Sequence, residues 1–565
     1  MTEESRPSPL PLAALVLLLA IVGLSHALPH QAHPLASMTL TLPLTFLAGG
    51  AAWWFLGAGK PPRALVFALA GSWLWLGWWL ARQAGAPVPA LSVADVANVG
   101  VMVIVFNIAA MLTWAVRAEE ASPSPFTIAG GALAGLAALL SAHGIYQVLG
   151  PEGWPTTHAT LAAELRASPP DVAPEIFEGV LHALDEGRAS GRIGSPNVFA
   201  GILALALPLC LGLLMKKAWA WRVFGGVSFL LCAWGILLSG SRGGLLAAAG
   251  GFVVFWVLYV GGTRLRRVAT PAAVLAVLVS ASALQAQDDS SRWTGTSTVQ
   301  QRFYYWETGF DIWSENVLFG AGPGAYEIFY PANRRAGAQE TVFAHNWFVQ
   351  WGAETGILGL LLFSLWIGAI GWIAWKILRR GQADAGLLIA FVASVITILA
   401  HGLVEFTLQW TEVQMDLALL LGVLAGAAPR RGETEEYSPR VRLWSALAFF
   451  ALTSVFWNNV IVSARMTDMQ LDSLQYSDSR QDLIANIDSL LERAPNHPDV
   501  YEARALSGVV DREQAREDLL YALELNPYSA RLRQSMSIFE EQGGDLAAAI
   551  DWQRQAVELH PLDGM

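Results

Sequence analysis

The chain has 565 residues, 54% hydrophobic and only 14% charged, with a mean hydropathy of +0.42. A soluble domain carries roughly a quarter charged residues, so an ordinary soluble enzyme and a disordered chain are both excluded. Two cysteines, Cys210 and Cys232, both inside apolar runs, exclude a disulfide scaffold and read as buried small hydrophobes. The net charge of −11 is uneven: residues 464–565 hold 19 acids and 9 bases, against 27 and 26 in the first 463. The division is a neutral apolar body, 1–463, and an acidic tail, 464–565, and neither is basic enough for nucleic acid.

A bilayer core of about 30 Å takes roughly 20 apolar residues as helix. Thirteen windows fit, near 10–28, 39–58, 64–81, 95–116, 126–148, 197–215, 220–239, 244–262, 268–284, 350–375, 385–405, 410–427 and 442–463. The predicted fold is therefore all-α, a polytopic helical membrane body of about 12–13 spans followed by a small helical domain. The first window starts where a secretory signal would, but its long apolar stretch behind Glu3 and Glu4 favours an uncleaved span. Basic residues beside short loops stay in the cytoplasm. With the N-terminus inside, the clusters around Lys60, Arg117, Lys216, Arg264, Lys376 and Arg430 all fall on that side, and Arg82 is a lone outer arginine. The loops 149–196 and 285–349 and the tail then lie outside. Long loops are often functional, so chemistry is sought on that outer face. Of the 24 tryptophans, the clusters at Trp53 and Trp54 and at Trp73, Trp75, Trp78 and Trp79 read mostly as interfacial belts.

The tail repeats itself. Ala515 and Ala549, Ala522 and Ala556, and Pro527 and Pro561 are each 34 apart, and an earlier unit closes at Pro495 with a displacement of 32. Small residues at helix crossings and a helix-ending proline suit stacked helical hairpins, and the period resembles that of tetratricopeptide repeats. Such a short solenoid either binds an envelope protein partner or simply caps the outer face.

Three outer residues stand out, because charges near membrane depth are costly and tend to be functional. Arg242 sits in LLSGSRGGLL, Arg302 in TVQQRFYYWETGFDIW and His345 in AHNWFVQWGAETGILGL. Two guanidinium forks suit a diphosphate, and a histidine beside them moves protons near neutral pH. No metal-ligand cluster at helical spacing accompanies them. Each residue also has a plain reading: Arg242 as a snorkelling charge, Arg302 as a partner for Glu307, His345 as a helix cap. GAGPG at 320–324 reads as a glycine-rich turn more readily than as a phosphate nest. Tyr304, Tyr305 and Trp306 read as packing at the bilayer surface, with sugar stacking as the second reading.

The segments GRIGSPNVFAGILAL (191–205), LLSGSRGGLLA (237–247), QQRFYYWETGFDIWSENVLFGAGPGAYEIFY (300–330), AHNWFVQWGAETGILGL (344–360) and HGLVEFTLQW (401–410) occur in an order that resembles the O-antigen ligase and O-antigen polymerase-like family. The resemblance covers about 190–410. It implies a multi-pass protein of the bacterial inner membrane with a periplasmic site and tail. It also implies transfer of a glycan from a polyprenyl diphosphate carrier to a lipid, glycan or protein acceptor. By the same resemblance Arg242 and Arg302 hold the diphosphate and His345 is the candidate catalytic residue. Arg192, Asn197, Asn346, Glu354, His401 and Glu405 become candidate substrate-binding residues. The implied reaction is a direct, inverting displacement without metal or cofactor. A transporter of lipid-linked sugar and a non-catalytic assembly protein are the competing classes. A transporter should place ionisable residues or broken helices at mid-membrane, whereas the outstanding charges here cluster at one face.

Overall fold

The computed structural model describes residues 9–27, 34–116, 123–153, 156–167, 184–260, 296–380, 385–430, 436–457, 471, 474, 477 and 479–560. Among these residues the chain is all-helical, as a polytopic membrane protein must be when lipid offers its backbone no hydrogen-bond partner. Apolar helices α1 (Leu10–Ala27), α2 (Pro34–Gly57), α3 (Arg63–Gln83), α4 (Val93–Ala115) and α5 (Pro125–Leu149) precede a short helix α6 (His158–Ala167). Next come α7 (Pro196–Leu214), α8 (Trp219–Ser239) and α9 (Arg242–Val260). The long loop contributes α10 (Thr296–Glu315) and α11 (Ala325–Asn333). The body closes with α12 (Trp347–Arg379), α13 (Ala385–His401), α14 (Thr411–Gly426) and α15 (Pro439–Phe456). Seven of these, α3, α4, α5, α7, α8, α9 and α12, are long and apolar enough to cross a bilayer. Five further expected spans fall on α1, α2, α13, α14 and α15, and the one expected at 268–284 lies outside the described residues.

Several helix starts are written as Ser-Pro. Ser124, Ser195 and Ser438 each accept a bond from the backbone N–H three residues on, while the following proline needs no N–H partner. Small residues then set the closest packing. A Cβ on Gly422 or Gly426 of α14 would come within 2.7 Å or 2.3 Å of the α4 carbonyls of Phe106 and Ala110, so glycine at this four-residue spacing lets the two backbones touch. Helix α7 is buried continuously from Val198 to Leu213.

Helix α3 packs on α12 through aromatic rings. Trp75 meets Trp351, Phe363 and Trp366 with centroids 5.1–5.5 Å apart, and Trp75, Trp79 and Trp366 are fully buried. The belt reading therefore fails for Trp75 and Trp79: the rings face a neighbouring helix rather than the lipid surface.

Contacts also sort the loops into two ends. Arg82 Nη2 donates to Gly320 O at 3.0 Å and Trp78 Nε1 to Thr355 O at 2.9 Å, joining segments expected on one face. At the other end Arg442 lies over Trp53 and Arg430 over Trp114.

Helix α12 is broken at Gly356, whose φ of 68° and ψ of −173° interrupt the helical ladder. The strand of loop beside it repairs the break. Ala321 N and Gly322 N donate to Ala353 O and Glu354 O, while Ile357 N and Leu358 N donate to Val317 O and Leu318 O. Residues 347–355 thus form a separate short helix packed beside the long loop.

The tail holds α16 (Arg480–Arg493), α17 (Pro498–Leu506), α18 (Arg512–Leu525), α19 (Ala530–Gln542) and α20 (Leu546–Leu559). Helix α20 begins and ends 34 residues beyond α18, and α18 lies 32 beyond α16. Ala515, Ala522, Ala549 and Ala556 are buried where the helices cross, and Arg504 forks onto Asp518 at 2.6 and 2.5 Å. Tyr528 meets Phe329 of α11 edge-on at 5.0 Å, so the tail rests against the long loop.

Candidate functional site

Four residues past the end of α13, Glu405 is 1% exposed and gathers side chains from three other segments. Its Oε1 accepts from Asn197 Nδ2 at 3.1 Å and from Arg302 Nη2. Its Oε2 lies 3.4 Å from His345 Nδ1. Asn197 Oδ1 in turn accepts from Arg188 Nη2 at 3.1 Å, and Arg188 Nε donates to Ser239 O at 2.7 Å. Burial alone would raise the Glu405 pKa, but His345, Arg302 and His401 outweigh it and hold the carboxyl below its ordinary range. A buried charge survives when it is paired, and here Oε1 takes both hydrogen bonds while Oε2 faces the imidazole as a charge contact.

His345 has a φ of 51°, a conformation a residue with a side chain adopts only when its surroundings enforce it. Both flanks are pinned. Ala344 N donates to Gln350 Oε1 at 2.8 Å, and Trp347 N donates to Gly402 O at 2.9 Å. The imidazole stacks on Tyr305 with centroids 5.2 Å apart and meets Phe406 edge-on at 4.7 Å. It keeps 21% of its side-chain surface exposed. It is therefore oriented by Glu405, walled by two rings and still open on one side.

His401 is buried, bonded through Nδ1 to Thr407 Oγ1 at 2.7 Å. It fits because the adjacent positions on α7 and α9 are glycines: a Cβ on Gly201 would lie 2.7 Å from Nδ1, and one on Gly243 3.5 Å from Nε2. Arg242, next to Gly243, is half-buried at the first position of α9. Gly240, with φ 62°, makes the tight turn that brings α9 back beside Arg188. Three helix N-termini thus meet here: α7 at Asn197, α9 at Arg242 and α12 beside His345. Each carries a partial positive charge, and Arg188 and Arg302 add full charges beside Asn197 and Glu405, with Arg242 at the first position of α9. The arrangement suits an anion with several oxygens.

The remaining candidates make no bond to Glu405 that the structure shows. Asn346 caps α12, its Oδ1 accepting from Phe348 N and Val349 N at 2.9 and 3.3 Å, which leaves that oxygen engaged by backbone. Glu354 is buried and bonded to Gln350 Nε2 at 2.7 Å, in the company of Asp95 and Glu327 rather than Glu405. It reaches His345 only through Gln350, which pins Ala344. Arg192 is exposed and lies beside His143. The GAGPG segment is a turn: Gly320, Ala321 and Gly322 direct their N–H groups at Asn316, Ala353 and Glu354 carbonyls, so they form no open nest. Tyr305 is buried against His345 instead of facing lipid.

Arg188, Gln350 and Phe406 were not anticipated. Arg188 had a faint signal, an arginine nine residues before Asn197 in a loop of small residues.

Residues 227–364 match the family model described as O-antigen ligase. The matched stretch contains Arg242, Arg302, His345 and Glu354 and stops short of Glu405. Over about a quarter of the chain, the match supports a glycosyl-transfer role in polysaccharide biosynthesis. No curated protein matches the chain.

Proposed function

We propose that the chain transfers a glycan from a polyprenyl diphosphate carrier to an acceptor hydroxyl on the periplasmic face of a bacterial inner membrane. The observation that carries this reading is the convergence of Arg188 and Arg302, with three helix N-termini that include the one bearing Arg242, around Glu405 and the strained His345. A diphosphate leaving group needs charge stabilisation where its bond to the sugar breaks, and fixed guanidinium groups supply it without reorganisation. Arg302 also serves Glu405, but one guanidinium has five donors, so the carboxylate holds one edge and the others remain for phosphate.

The acceptor hydroxyl attacks the anomeric carbon, and its proton passes to His345. The carbon–oxygen bond to the carrier breaks, and the lipid diphosphate departs with that electron pair. Glu405 orients the imidazole and balances the imidazolium that forms. A single displacement inverts the anomeric centre. A positioned general base contributes about 10²–10⁴-fold. The charge work falls to arginine, so the reaction proceeds without a metal. The domain division follows this reading: 1–463 carries the chemistry, and the tetratricopeptide-like tail, 464–565, resting on α11, offers a docking surface for an acceptor or an envelope partner.

The experiment is transfer in vitro. Full-length protein, a polyprenyl diphosphate glycan and candidate acceptors are combined with EDTA present. Transfer that persists in EDTA and disappears in His345→Ala and Arg302→Ala supports the reading. Carrier binding without any transfer, or activity unchanged in both variants, overturns it.

A further inference from the structure

At the end of α12 remote from His345, a cavity of about 1380 Å³ opens between α3 and α12. Its walls are apolar and face outward: Phe67 and Leu74 on α3 are 67% and 63% exposed, and Leu365 on α12 is 70% exposed. Its mouth is basic. Lys60 and Arg63 stand at the start of α3, and Lys376, Arg379 and Arg380 at the end of α12. Among the described residues that line it, none is acidic.

Two of these cations are held in place. Lys376 sits 4.8 Å over the Trp372 ring and Arg379 4.6 Å over Trp375, and the two rings stack at 4.7 Å. A cation resting on an indole face has lost part of its side-chain freedom before any ligand arrives.

We propose that this groove binds one anionic phospholipid, with its phosphate at the basic mouth and an acyl chain along the α3–α12 walls. Ordinary positive-inside charges explain a basic rim but not a cavity beneath it. Basic pockets between transmembrane helices suit anionic head groups, and the apolar depth requires a chain that free phosphate lacks. The groove is separate from the His345 group, so it stands or falls independently of the transfer reading.

The test uses the full-length chain and native mass spectrometry. The probes are phosphatidylglycerol, phosphatidylcholine with the same acyl chains, and inorganic phosphate as competitor. Phosphatidylglycerol should be retained at least about ten-fold over phosphatidylcholine. The double variant Lys376→Gln/Arg379→Gln should lose about five-fold per charge removed. A second variant, Gly368→Phe, fills the groove from a lining position where an added Cβ meets nothing within 4 Å. It should lower retention while the thermal unfolding midpoint stays unchanged. Equal retention of the two lipids, retention unaffected by either variant, or complete displacement by millimolar phosphate would each overturn the proposal.

Discussion

At its His345 end α12 is crowded with fixed partners. Asn346 caps it, Gln350 ties Ala344, the loop 317–322 repairs its break at Gly356, and the His345 backbone is held in the left-handed region. At its Arg379 end the same helix leaves Trp372 and Trp375 half exposed beside an open groove, with cations resting on their rings. One end holds a few side chains in a single geometry, as bond-making chemistry requires. The other is broad and apolar, which suits a flexible hydrocarbon ligand. Hydropathy alone would treat both as one span.

The largest contrast between the ends should come from chemistry. His345→Ala and Arg302→Ala should each lower transfer by about 10²–10³-fold, measured with purified protein, while the unfolding midpoint moves little. If neither does, the His345 end is scaffold.

Next is the break itself. Gly356 has a positive φ, and a Cβ there would lie 2.4 Å from Leu318 O. Gly356→Ala should therefore destabilise the protein by about 1–3 kcal/mol in thermal unfolding and disturb transfer with it. Gly368→Phe in the groove should be thermally silent, so equal effects would erase the contrast.

A smaller effect tests how Glu354 acts. Gln350→Ala removes the acceptor for Ala344 N and the link to Glu354, so kcat should fall about ten-fold with KM nearly constant. A change confined to KM would place Glu354 and Gln350 at the substrate instead.

The smallest effect concerns pH. The carboxyl of Glu405 is held below its ordinary range in the fold, so its contribution is present above the unfolded value of about 4.3 and lost as pH falls through the folded one. The gap in unfolding midpoint between wild type and Glu405→Gln should stay constant from pH 7 to 5 and close only in stronger acid. A gap that closes near pH 6 would mean that Glu405 is not an ionised hub.

The residues at the centre of the site were legible because short segments carry them: the arginine of SRG, the histidine of HN, and the Asn197 and Glu405 positions. Their convergence was not, since a bond such as Asn197 to Glu405 spans 208 positions and depends on how the helices pack. Glu354 shares a segment with His345, which suggested a shared site. Nine residues of helix are about 13 Å, enough to carry it elsewhere. The tryptophans misled for a similar reason: composition places Trp75 in a membrane but does not say which face meets lipid and which meets Trp366.

The interruption at Gly356 also has a mechanical meaning. A continuous span tilts as one rod when bilayer thickness changes. Divided at Gly356, α12 has two rods, and the loop 317–322 is bonded to both, to Ala353 and Glu354 of the upper one and to Ile357 and Leu358 of the lower. The loop thus splints the break, so a tilt of the lower rod carries the loop and the upper rod with it.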